Sequence, residues 1–328
     1  MTDSERSPNG GGRTPDFCHV KGQEAAKRAL EVAIAGDHPI LLIGPAGSGK
    51  TLLARCIPGL LPPPTKEEAA EIAETYRRAK LDPPVGRPFR SPHFSTRPLD
   101  LVGRQRPGEV DLARGGALFL DNLQAFGKRS LRALGEALEA GGGREAGLDT
   151  RYTASFLLVA AMRPCPCRYL HDPQHDCSCA PWEVARYWRP IEEFFMDLVH
   201  LHVEVPAIGL PELRSRAGES SRDVAARVRA ARERQLARSG EPTWNAFLRP
   251  WALPKWCRPD PAGQRLLDVA FERLGLSVRA VGTVLRVART IADLSGCDDI
   301  RAPHLAEAIQ YRCLSRRRDP LQREHRVH

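Results

Sequence analysis

The chain has 328 residues, 42% of them apolar and 27% charged, which is the mix of a folded globular protein and excludes a low-complexity or fibrous one. Lysine and arginine number 49 against 40 acidic residues, an excess that permits contact with DNA or another polyanion without demanding it. No run approaches the roughly 20 apolar residues of a bilayer span, and the opening MTDSERSPNGGGRTPD has no apolar core, which argues against a secretory signal. Residues 1–16 therefore read as a disordered leader. Next, VKGQEAAKRALEVAIAG (20–36) places its apolar residues largely on one helical face and ends on Gly36. PILLIG (39–44) is a strand buried on both faces, followed by a glycine loop and a helix broken by prolines, TLLARCIPGLLPPP. EEAAEIAETYRRAKL (67–81) is a further helix, and the Pro-, Gly- and Arg-rich stretch 87–116 reads as irregular. ALFLDN (117–122), FLLVAAM (156–162) and LHVEVP (201–206) are three more buried strands, with the helix RSLRALGEALEAG between the first two.

This alternation predicts an α/β fold, a three-layer parallel sheet over 17–210. After about residue 210 the pattern changes. Four segments carry helical periodicity and none is a strand candidate, so 211–315 is expected to be an all-helical domain. The last stretch, 316–328, is a basic tail.

GPAGSGKT (44–51) fits the phosphate-loop pattern in full, and it has the required strand before it and helix after it. Gly44, Gly47 and Gly49 let the backbone curl so that its N–H groups turn inward on phosphate oxygens, and Pro45, Ala46 and Ser48 complete the ATP-binding loop. Lys50 is placed to reach the β- and γ-phosphates of ATP, and the Thr51 hydroxyl to ligate Mg2+. Asp121 closes the strand LFL, where an aspartate holds that magnesium directly or through water; the alternative is a helix cap.

Nine cysteines are present, five of them scattered. The other four, Cys165, Cys167, Cys177 and Cys179, form two Cys-x-Cys pairs that can close a tetrahedral thiolate site on Zn2+ in a structural role. His171 and His175 lie in the same loop as substitute ligands, and the other reading is a loop of reduced, packed thiols. Grouped cysteines in a chain with no export signal suggest a reducing, cytoplasmic setting. Trp244, Trp251 and Trp256 are read either as base-stacking residues or as anchors of their Pro-rich stretch.

From Asp16 to about Arg316 the chain resembles the magnesium-chelatase-type AAA+ proteins, in particular the YifB/ComM branch. The matching stretches include DFCHVKGQEAAKRALEVA, GPAGSGKT, RPFRSPH, RPGEVDLA, LVAAMRPCPC, LHVEVP, GESS, LGLSVRAV and VARTIADL. The resemblance implies a P-loop AAA+ core followed by a helical lid, working in a homo- or hetero-oligomeric ring. It also implies a sensor-2 arginine at Arg279, and DNA as a candidate partner, since the branch is associated with branch migration during uptake of foreign DNA. The chelatase cousins insert magnesium into porphyrins. The branch usually begins with a Lon-protease-like domain, so this chain is expected to be the ATPase half alone.

Three departures bear on hydrolysis. Where the family places a glutamate after the Walker-B aspartate, this chain has Asn122. The sensor-1 asparagine is replaced by Arg163, and the arginine-finger position in FFMDLVHLHVEVP is Leu198. Arg186 or Arg189 are the candidate substitutes for the finger. The pore hairpin is replaced by the glycine-rich GGGREAGLDTRYTAS, and the family's second histidine after His93 is Phe94. The groups that grip a triphosphate are retained and those that cleave it are not. The expectation is an ATP-binding regulatory or structural ring subunit with weak or no turnover. The alternative is an active AAA+ motor in DNA processing.

Overall fold

Ile40–Ile43 (β1) are all buried, because the sheet they join is covered on both faces. The computed structural model describes residues 14–139, 156–170, 172, 175–214, 218–240 and 243–312. The leader up to residue 13, the hairpin segment 140–155, His171 and the basic tail lie outside these. Ala117–Leu120 (β3) and Leu157–Met162 (β4) are apolar and buried throughout for the same reason as β1. Leu201–Glu204 (β5) exposes its last residue only. With Phe89–Arg90 (β2) these strands form one parallel sheet in the order β2-β3-β4-β1-β5.

β1 lies between β4 and β5, with Ile40 level with Val159 on one side and Leu201 on the other. Successive side chains enter opposite cores, as strand geometry requires. Ile40, Leu42, Phe119, Val159 and Ala161 face one core, and Leu41, Ile43, Leu118, Leu120 and Leu158 face the other. Parallel strands put all their C-terminal ends on one edge, which is where ligands bind in open α/β sheets.

The helices follow in chain order. Glu24–Gly36 (α1), Lys50–Arg55 (α2) and Lys66–Arg78 (α3) precede two short ones, Pro98–Val102 (α4) and Glu109–Leu112 (α5). Lys128–Glu139 (α6) and Pro181–Phe194 (α7) cover the second core, and Leu210–Leu213 (α8) leads out of the sheet. The rest is helical: Ser221–Ser239 (α9), Leu253–Trp256 (α10), Pro261–Leu274 (α11), Val278–Leu294 (α12) and Ala302–Gln310 (α13). Among the described residues no helix is long and apolar enough to cross a membrane.

The stretch 87–116 is more ordered than its composition suggests. β2 is two residues long, too short to show a period, and it exists because the Ala117 N–H donates to Pro88 O at 2.8 Å. Arg90 then grips Glu109 at the start of α5 through two bonds of 2.7 and 2.8 Å, which folds the loop back on itself.

The helical region sits on α1 and shares one apolar core with it. Arg232 donates to Ile34 O at 2.7 Å and Gln235 to Ala35 O at 3.0 Å, satisfying carbonyls at the end of α1. His38, fully buried, lies beside this joint: its Nδ1 is 3.0 Å from His200 Nδ1 and its Nε2 is 2.7 Å from Thr290 Oγ1 on α12. Burial, and then the Arg286 guanidinium, hold the His38 imidazole down at about 3. Burial, then His38, Arg286, Arg312 and Arg279 hold His200 well below its ordinary value.

Both rings are therefore neutral when folded, while the unfolded chain takes up protons below about pH 6.5. Their contribution is fully present above that pH and is lost as pH falls toward the folded values. Each histidine that stays neutral should cost about 2 kcal/mol of stability at pH 5. Thermal unfolding from pH 7.5 down to 5 should show a falling Tm, and a flat profile would contradict this account.

Candidate functional site

The chain leaves β1 at Ile43 and turns through 44–49 before α2 begins at Lys50. Gly47 and Gly49 have φ of +79° and +92°, the left-handed region that glycine enters freely. Gly44 has a different reason: a Cβ there would stand 2.0 Å from Val205 O at the end of β5. The loop is held from behind by Gln23, whose Nε2 donates to Ser48 O at 3.2 Å and Pro206 O at 2.7 Å.

Lys50 folds back into the loop. Its Nζ donates to Gly44 O at 2.9 Å, Pro45 O at 2.6 Å and Ser48 Oγ at 3.1 Å. Burial lowers its pKa to about 8; Asp121 works against that shift and Arg163 with it. Across the cleft the Thr51 hydroxyl donates to Asp121 Oδ2 at 3.0 Å. Two hard oxygen donors side by side, one from the start of α2 and one from the end of β3, are the kind that would hold Mg2+.

The cleft has a volume of about 430 Å3 and is lined by Ala46, Gly47, Lys50, Thr51, Phe94, Asp121, Asn122, Ala125 and Arg163. Gly44, Pro45 and Ser48 stand behind it as partners of Lys50, and Gly49 precedes the first turn of α2. Asn122 takes a left-handed conformation, φ 55° and ψ 52°, which asparagine tolerates better than most residues. Its Oδ1 accepts from Gln124 Nε2 at 3.4 Å. Arg163 follows β4 directly, and its buried Nε has no hydrogen-bond partner among the described residues.

Other expected residues lie elsewhere. Leu198 packs into the second core, 3.7 Å from the place a Cβ on Gly135 would take, and does not line the cleft. Arg186 and Arg189 are exposed on α7. Arg279 is exposed in the first turn of α12, where its charge acts on His200 and Arg286. His200 adjoins Pro39, before β1 begins, whereas the phosphate loop follows the other end of β1. Arg279 is not among the described residues that line the cleft. His93 is exposed and bonds Ser95 Oγ at 2.7 Å, the bland surface role. Trp244 lies under the Arg232 guanidinium at 4.4 Å and anchors its stretch, while Trp251 is 74% exposed.

The four cysteines come together. The Sγ atoms of Cys165, Cys167, Cys177 and Cys179 all lie within 4.8 Å of one another. Three of the separations are 3.3, 3.7 and 3.5 Å, close to the roughly 3.8 Å between thiolates in a tetrahedron with zinc–sulfur bonds of about 2.3 Å. Backbone N–H groups point at the sulfurs, Leu170 to Cys165 at 3.4 Å and Cys167 to Cys179 at 3.3 Å, as suits thiolate ligands. His175 is not in the set and pairs with Asp172 at 3.2 Å.

Residues 16–213 match the family described as magnesium chelatase, subunit ChlI, and residues 218–312 match that subunit's C-terminal family. The chain is 40% identical over 314 residues to an uncharacterized protein YifB of Salmonella typhimurium, covering 92% of this chain and 61% of that protein. It is 39% identical over 317 residues to the competence protein ComM of Haemophilus influenzae, covering 93% and 62% respectively. The chain thus spans about three fifths of the length of these relatives. Among solved structures, a full-length MCM homolog from Methanopyrus kandleri superposes with a TM-score of 0.51 at 16% identity, over 90% of this chain and 56% of that one, a likeness of fold alone. With a phosphate loop, a Walker-type aspartate and a helical region matched along nearly its whole length, the chain belongs to the magnesium-chelatase ChlI family, in keeping with its YifB/ComM branch.

Proposed function

We propose that this chain is an ATP-holding AAA+ ring subunit with weak or no hydrolysis, acting as a regulatory or structural partner. One observation carries the reading: among the described residues lining the cleft, Asp121 is the single carboxylate, and it is already bonded to Thr51. Asp121 is committed to the metal side, and the next residue is an amide, which is a poor base for activating water. Binding needs none of this. The loop amides cradle the phosphates, Lys50 supplies a cation, and Thr51 with Asp121 hold Mg2+, which neutralises charge on the phosphates when bound. Arg163, on the cleft wall, adds a second cation for the phosphates.

Arginine fingers are worth about 10³–10⁵ in rate in related nucleotide hydrolases. Leu198 brings no charge and is engaged in packing. Arg279, exposed in the first turn of α12, is read as the sensor-2 arginine that the family resemblance implies. The four cysteines are read as a structural Zn2+ centre in a cytoplasmic protein, with every ligand supplied by the chain. An excess of nine basic residues supports DNA as a partner.

Phosphate release by the purified protein should stay at background with and without DNA. Sustained release that Lys50→Ala abolishes would overturn the reading. It would favour an active motor in DNA processing instead, with Arg186 or Arg189 lent to a neighbour as the finger. The exposure of both arginines and the competence-protein relative support that second reading.

A further inference from the structure

We infer that the cysteine cluster positions Arg163, so that affinity for ATP in this protein depends on the metal held by the cysteines of residues 165–179. The inference rests on reading the four cysteines as a zinc centre. β4 ends at Met162, and Arg163, Pro164 and Cys165 follow with no residue to spare. Cys165 is fully buried in the cluster, two residues from the arginine that lines the cleft. Cys179, on the other arm, stands two residues before Pro181, where α7 starts. The centre therefore ties the exit of a central strand to the entry of a helix.

That helix grips the two peptides between strand and cluster. The Tyr187 hydroxyl donates to Arg163 O at 3.1 Å, and Trp188 Nε1 donates to Pro164 O at 2.9 Å. Arg168, in the turn between the two arms, has φ 82°, a conformation that costs an arginine about 1 kcal/mol or more. The turn holds it by wrapping N–H groups around the sulfur of Cys165 and its carbonyl.

Among the described residues the buried Nε of Arg163 has no hydrogen-bond partner, so the backbone at 163–165 aims the side chain. A guanidinium aimed at a phosphate makes charge-assisted hydrogen bonds, and these are lost when the backbone carrying it loosens. Demetallation removes the link between Cys165 and α7, and with it the direction of Arg163. Arg163 is here a binding residue, and the cysteines, Tyr187 and Trp188 are positioning residues.

The test uses the whole chain. Zinc content is measured first, and a fluorescent ATP analogue is then titrated into zinc-loaded, chelator-stripped and zinc-restored protein. One zinc per chain is expected, with affinity about tenfold weaker in the stripped protein and recovered on restoration. Arg163→Ala should bind weakly in both states, so that the metal effect disappears. Equal affinity with and without zinc in the wild type would overturn the coupling and leave the zinc reading intact. A chain that carries no zinc would overturn both. A zinc-loaded chain that binds no nucleotide would overturn the coupling together with the proposed function.

Circular dichroism checks that the stripped protein remains folded. If it unfolds, Tyr187→Phe decides. That variant keeps all four ligands and loses only the bond to Arg163 O. It should bind ATP several-fold more weakly at full zinc content, and unchanged affinity would overturn the proposal.

Discussion

Lys50→Ala should weaken ATP binding by about a hundredfold or more while leaving the free protein as stable as before. The size follows from what the ammonium would meet. It would bridge two phosphates, and a hydrogen bond to a charged group is worth about 1.5–3 kcal/mol, so two such contacts give about 10²–10⁴ in affinity. The neutral effect on the free protein follows from where Lys50 now sits. Its Nζ is satisfied by Gly44 O, Pro45 O and Ser48 Oγ, yet burial outweighs Asp121 and holds its pKa down at about 8. A charge held below its ordinary pKa contributes little stability of its own. Thermal shift separates the two effects. ATP with Mg2+ should raise the Tm of the wild type, and Lys50→Ala should show a similar Tm alone and no shift with nucleotide. A shift that survives the substitution would place the nucleotide elsewhere.

The sites differ in how visible they are in one sequence, and the reasons are physical. The phosphate loop is legible because each step restricts residue type locally: glycines where φ is positive, a lysine at the helix start, a hydroxyl after it. The four cysteines are legible because a rare residue recurs at close spacing in two Cys-x-Cys pairs, and the fold brings their sulfurs together. β2 is invisible because two residues have no period, and its place is set by pairing with Ala117 across the sheet. Gln23 escapes notice too. It supports the loop from 25 residues away, and its signal, a glutamine after glycine with both in the left-handed region, emerges only in three dimensions. Arg279 carries a different lesson. Its motif assigns a role, yet the side chain is exposed in the first turn of α12 and is not among the described residues lining the cleft.

Asp293→Ala should cost about 3–5 kcal/mol, the usual penalty for breaking a buried ion pair from one side. Asp293 closes α12 in the stretch VARTIADL, and its side chain is fully buried. Oδ1 accepts from Arg238 Nη1 at 2.8 Å and Arg289 Nε at 3.2 Å. Oδ2 accepts from Arg238 Nη2 at 3.0 Å and Asn245 Nδ2 at 2.8 Å. The carboxylate thus joins α9, the turn at Asn245 and α12. Asn245 extends the network to Gln235, which donates to Ala35 O on α1. Alanine would leave two guanidinium groups facing each other near Cys257. Arg289, which burial already pulls down and Asp293 holds up, is the one that cannot reach water. Urea unfolding measures the loss, and one transition is expected because a single apolar core runs from α1 into the helical region. Arg77→Ala provides the contrast. Arg77 pairs with Glu74 on an exposed face, with side-chain exposures of 75% and 53%, and its loss should leave stability nearly unchanged. If the two substitutions cost the same, Asp293 is not the anchor of the joint. If Asp293→Ala instead splits unfolding into two steps, the charge network, and not the shared apolar core, couples the helical region to the sheet.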